Sequence, residues 1–115
     1  MAFERFSGKK ARFNFDSKDL EFTNLNDYVK ENGYAPFVVR AVFNHKKDGD
    51  IYPCVVNDRF KIWLPNHFVN QINDIISDPA CVEAINNGTC VFKPYTYEKT
   101  GKYSGTYNSG EFADI

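Results

Sequence analysis

The chain has 115 residues, with 14 basic and 15 acidic side chains, a net charge of −1 and 17% aromatic residues. That length suits a single domain with its own core. The near-neutral charge excludes bulk attraction to nucleic acid, although a local positive track is all that phosphate contact needs. Three cysteines, Cys54, Cys81 and Cys90, form no CxxC pair, which argues against a disulfide framework and for a reducing, cytoplasmic compartment. The N-terminal residues are too polar for a signal peptide and no apolar run approaches the length of a membrane span, so no membrane role is expected.

Residues 1–35 read as an N-terminal extension. Phe3, Phe6, Phe13 and Phe15 lie among Lys9, Lys10 and Arg12, with an alternation from Ala11 to Phe15 that suits either a terminal strand laid on the core or a basic arm. From Thr23 a short helix is expected: Thr23 or Asn24 caps it, Leu25, Tyr28 and Val29 share a face, and Gly33 stops it. Phe37–Phe43 reads as a central strand, apolar on both faces except at Arg40. Residues 44–50 then form a turn centred on Asp48-Gly49, and Ile51–Val56 returns antiparallel. Pro53 removes a ladder donor, which places it at an edge or a bulge. The next strand, within Asp58–Pro65, puts Phe60, Ile62 and Leu64 on one face and Lys61 and Trp63 on the other. Beyond it, Asn66 can cap a helix whose buried face is Phe68, Ile72, Ile75 and Ile76. Ser77-Asp78-Pro79 breaks that helix, and a second runs from the Asp78 cap to Asn87-Gly88. Two closing strands are expected, Thr89–Glu98 and Tyr103–Ile115, joined by a turn over residues 99–102.

From Pro36 onwards the order is therefore a three-strand meander, a helical connection and a closing hairpin. This is the element order of an OB-fold, a small, partly open five-stranded barrel whose exposed face binds oligonucleotides. The expected class is α+β, mainly β, with residues 36–115 as the barrel and the helical connection between its strands 3 and 4. A β-grasp or another α+β roll has a compatible order of elements.

No catalytic or metal-binding set is visible. His45 and His67 have no partner at ligand spacing, and Cys81 and Cys90 are separated by a helix stop. Cys54 and His45 can face each other across the hairpin, yet a cysteine buried in an apolar strand is ordinarily inert. Asp48 and Asp50 around Gly49 lack the remaining ligands of a calcium loop. Phosphate-loop, dinucleotide and nucleophile-elbow motifs are missing too. No enzyme activity and no cofactor are expected.

The aromatic residues carry more information. Beside Lys61 and Trp63, the fourth strand of the barrel aligns Lys93, Tyr95 and Tyr97, and the fifth aligns Tyr103 and Tyr107 beyond the turn that holds Lys99 and Lys102. A single tyrosine in a strand covers apolar surface and needs no ligand. Three strands repeating lysine beside aromatic favour a platform on which bases stack while Lys61, Lys93 and Lys102 meet phosphates, extended by Lys46, Lys47 and Arg40.

The stretches Phe60–Phe68, Asp78–Gly88, Val91–Tyr97 and Glu111–Ile115 together resemble small OB-fold single-stranded-DNA-binding proteins of phages and mobile elements of Gram-positive bacteria. The resemblance spans Pro36 to Ile115 and rests on element order and loose pattern. It implies sequence-tolerant binding of single strands, DNA ahead of RNA, oligomerisation, and service in phage or mobile-element replication or recombination. The chain stops at Asp114-Ile115 without the long acidic tail by which many such proteins recruit partners, which puts that recruiting role in doubt. The alternative is a phage-encoded module that turns the same aromatic face toward a host protein.

Overall fold

The computed structural model of the chain describes residues 13–115. The basic, Phe-rich segment before Phe13 and the start of its alternation at Ala11 lie outside them. Residues 13–20 form no strand, although Phe13 does pack against the core. The first strand comes later than expected, as β1, Glu21–Asn24. Helix α1, Leu25–Asn32, follows with the anticipated signals. The Asn24 side chain accepts the Asp27 N–H at 2.8 Å, Gly33 closes the helix at a φ of 78°, and Leu25, Tyr28 and Val29 are buried.

The run expected as one strand from Phe37 divides into β2, Phe37–Val38, and β3, Ala41–Lys47. The chain changes sheet between them: the Val39 N–H donates to the Cys90 carbonyl and the Arg40 N–H to the Val56 carbonyl. Serving two sheets in succession is the physical reason that this run is apolar on both faces. The turn is also tighter than the expected seven-residue loop. β3 continues to Lys47, β4 (Asp50–Val56) begins immediately, and Asp48 and Gly49 both take positive φ, 54° and 85°. That is the geometry of a two-residue turn whose twist matches its strands.

Pro53 lies in β4, between β3 and β5 (Phe60–Trp63) rather than at an edge. Its carbonyl accepts from the Leu64 N–H on the β5 side, so its nitrogen faces that side too. The β4–β5 ladder ends at Cys54 and Trp63, so the missing donor falls where pairing stops. The helical connection comprises a 3-10 turn (Asn66–Phe68), α2 (Val69–Ser77) and α3 (Pro79–Asn86). Asn66 does not cap, because the connection opens as a 3-10 turn after Pro65. Asp78 does cap α3, accepting the Ala80 N–H at 2.9 Å. β6 (Cys90–Lys99) and β7 (Gly105–Asp114) form the closing hairpin, which leaves Tyr103 in the turn.

Among the described residues the fold is mixed α+β, mostly strand, with two sheets and three α-helices. One sheet has the order β1-β5-β4-β3, with β1 parallel to β5 and the other pairs antiparallel. The other is antiparallel, in the order β2-β6-β7. Val42, Val55 and Ile62 from the first sheet meet Phe68, Ile72, Ile85 and Phe92 in one core. Among the described residues no ladder joins β1 or β5 to β7, so the sheets do not close into the expected barrel. Asn108 of β7 is instead tied to α1 and the residues just after it: Tyr34 Oη donates to Asn108 Oδ1 at 2.6 Å, and Asn108 Nδ2 donates to Asn26 Oδ1 at 2.7 Å. No helix among the described residues is long and apolar enough to cross a membrane.

Candidate nucleic-acid interface

Cross-strand register decides which side chains share a surface. Ala41 stands opposite Val56, Val56 opposite Lys61, and Lys61 opposite Phe22; two residues along, Phe43 stands opposite Cys54 and Cys54 opposite Trp63. His45 and Tyr52 are paired one further step along the same face. Lys61 and Trp63 therefore do lie opposite the core-facing Ile62. Trp63 is the centre of an aromatic group there. Phe22 stacks on it with ring centroids 4.8 Å apart and planes within 4°, while Phe43 and Tyr52 meet it edge-on at 6.3 and 6.2 Å and His45 lies at 5.9 Å. The Lys61 ammonium sits 4.2 Å from the centre of the Phe22 ring, within reach of a cation–π attraction.

Beside this group is an open concavity of about 540 Å³ lined by His45, Lys47, Asp48, Tyr52 and Trp63. It combines rings and a lysine with room for a planar group between them. Cys54, the cross-strand neighbour of Phe43 and Trp63, has no exposed surface, and burial pushes its thiol up to about 12. Facing His45's sheet surface does not make it a nucleophile, since almost none of it is thiolate at neutral pH.

The β6–β7 hairpin carries a second group. Tyr97 and Tyr107 are cross-strand partners with centroids 5.8 Å apart and planes 28° apart. The Lys99 ammonium lies 5.0 Å from the Tyr107 ring and 5.8 Å from the Tyr97 ring. In the turn, Lys102 lies 5.5 Å from the Tyr103 ring, and Tyr107 Oη donates to the Tyr103 carbonyl at 2.8 Å. Tyr95 and Tyr103 are exposed. Lys93 stands opposite Glu111, which dilutes the positive potential at that step.

The predicted residues thus form two sets rather than one continuous row. Among the described residues, ring contacts join Trp63 to Phe22, Phe43, His45 and Tyr52, and join Tyr97 to Tyr107; none links the two groups. Lys47 lines the concavity, whereas Lys46, one residue earlier on β3, alternates to the opposite face. Arg40 belongs to neither set, because its Nε is paired with Asp58 Oδ1 at 2.7 Å. Three contributors were missed in the sequence reading, Phe22, His45 and Tyr52, and Lys99 was placed at the turn beside Lys102 without being assigned a contact. His45 and Tyr52 were recoverable, because a two-residue turn at Asp48-Gly49 places Lys47 against Asp50 and, two steps back, His45 against Tyr52. Phe22 reaches Trp63 only through the parallel pairing of β1 with β5, for which no local signal exists. No cluster of three or more metal-ligating side chains occurs among the described residues.

No family model matches the chain, and no curated protein or solved structure matches it either.

Proposed function

We propose that the protein binds single-stranded nucleic acid with little sequence preference, DNA ahead of RNA, and serves phage or mobile-element replication or recombination. The observation that carries this reading is the concavity between Tyr52, His45 and Trp63 with Lys47 on its rim. In OB-folds the face of the second and third strands, flanked by the loops between strands 1 and 2 and between strands 4 and 5, takes the oligonucleotide. Counting β2 and β3 as one strand that passes between sheets, the counterparts in this chain are the outer face of β4 and β5, the β3–β4 hairpin and the β6–β7 hairpin. On this reading β1 and α1 fill the seam where a five-stranded barrel would close.

Bases stack on Trp63 and Tyr52 and, along the second hairpin, on Tyr95, Tyr97, Tyr103 and Tyr107. Each stacking contact contributes roughly 1–3 kcal/mol by alanine substitution. Lys47, Lys61, Lys99 and Lys102 supply the phosphate contacts. Arg40 is held by Asp58 and Lys46 faces the other way, so both fall outside the interface.

Titration with short oligo-dT at low salt tests the proposal, with fluorescence of the sole tryptophan as the readout. Quenching and an electrophoretic shift are expected. Unchanged fluorescence together with no shift overturns the reading. One observation favours a protein partner instead: Asp48 stands in the concavity beside Lys47, so its potential is mixed. A partner retained in a pull-down after nuclease treatment, with no oligonucleotide binding, selects that alternative.

A further inference from the structure

Among the described residues, Phe22 is placed differently from every other ring that touches Trp63. It belongs to β1, a four-residue strand added in parallel to the outer edge of β5, and not to the antiparallel strands that carry Phe43, His45 and Tyr52. Its ring is parallel to the indole at 4.8 Å, the offset-stacked arrangement that a nucleobase also adopts on tryptophan. Yet Phe22 is 51% exposed, a poor degree of burial for an aromatic ring whose purpose is to stabilise the core. Lys61, the one cation on that face of β5, has its ammonium over this same ring.

We propose that Phe22 is a displaceable cover on Trp63, standing where a base of the bound strand stacks. The inference rests on the nucleic-acid reading given above. A base that replaces the phenyl ring restores the stacking contact like for like, and the same exchange frees the Lys61 ammonium to meet the phosphate that arrives with it. Only the side chain has to move. Asn24, on the same face of β1, is fastened to α1 as its cap at 2.8 Å, and the four-residue ladder to β5 holds the backbone. Phe43 and Tyr52 touch the indole edge-on, so among the described residues Phe22 is the ring that lies parallel to it. The cover also selects the substrate class. A base in a duplex already has both faces stacked and gains nothing by entering, whereas an unpaired base does.

The test compares the unaltered protein with Phe22→Ala and Phe22→Leu, each confirmed to melt cooperatively. Without ligand, acrylamide quenching of Trp63 is expected to rise in Phe22→Ala. With short oligo-dT at low salt, Phe22→Ala is expected to bind about two- to tenfold more tightly, as expected from the loss of one competing aromatic pair, with Phe22→Leu in between. Duplex DNA is expected to remain a weak ligand of all three. If the unaltered protein binds oligo-dT and Phe22→Ala binds equally or more weakly, the cover is overturned while the binding reading stands. If none of the three binds, both fall together. Should Phe22→Ala fail to fold, Phe22→Leu decides by the same criteria.

Discussion

At the scale of single residues, Gly110 illustrates how closely this small core is fitted. A β-carbon added there would lie 2.3 Å from the Phe92 ring, and Phe92 has no exposed surface, so the ring has nowhere to retreat. Gly110→Ala is expected to cost about 1–3 kcal/mol by overpacking, measured as a lowered midpoint in urea. The cysteines make a second residue-level prediction. Burial pushes the Cys54 thiol up to about 12 and contributes most to raising that of Cys90 to about 11, both from an ordinary 9.0. A thiol reagent at about pH 8 should therefore modify Cys54 and Cys90 slowly until denaturant is added. The same shifts set the sign of an alkaline effect. The folded state holds these protons more tightly than the unfolded chain, so their contribution to stability is complete below pH 9 and is lost as the pH climbs toward 12. Urea midpoints measured across that window should fall less steeply in Cys54→Ala than in the unaltered protein.

At the scale of elements, the helices were legible because their ends are specified by near neighbours. Asn24 and Gly33 bracket α1, and Asp78 with Pro79 starts α3, each through contacts within a few residues. Asp78→Ala should destabilise by about 1 kcal/mol, seen in thermal or urea melts, because it removes the side-chain oxygen that accepts the Ala80 N–H at the start of α3. The strands were legible in existence but not in extent. The turn at Asp48-Gly49 was read correctly, yet polar residues from Asn44 to Lys47 looked like loop. They belong to β3 because β4 pairs with them along their full length, and the Asn44 amide nitrogen donates to the Val69 carbonyl and to Asn73 Oδ1 on α2, both at 3.0 Å. The β6–β7 hairpin permits a test that spares the core. Tyr97→Ala combined with Tyr107→Ala removes an outward-facing pair, and should weaken oligo-dT binding at least tenfold by the stacking scale while leaving the Trp63 concavity intact.

At the scale of the whole molecule, a net charge of −1 means that any affinity for nucleic acid is local rather than a property of the total field. With phosphates met by Lys47, Lys61, Lys99 and Lys102, the logarithm of the binding constant should fall with the logarithm of salt at a slope of about −3, roughly −0.7 per contact on a single strand. A slope near zero would point to the protein partner instead. The amino-acid order alone settled the class, the succession of meander, helices and hairpin, the caps at Asn24 and Asp78 though not the one expected at Asn66, and the placing of Lys61 and Trp63 opposite Ile62. All of these depend on backbone preferences and on alternation within one element, which neighbours in sequence impose. Only the tertiary structure decided that β1 lies parallel on β5, that the chain changes sheet at Val39 and Arg40, that the sheets stay open, and that the aromatic residues form two groups with Phe22 on the indole. Those outcomes depend on pairings such as Glu21 with Phe60 and Phe37 with Phe92. Segments far apart in the chain choose such partners by the surface they bury together, and no local pattern encodes that choice.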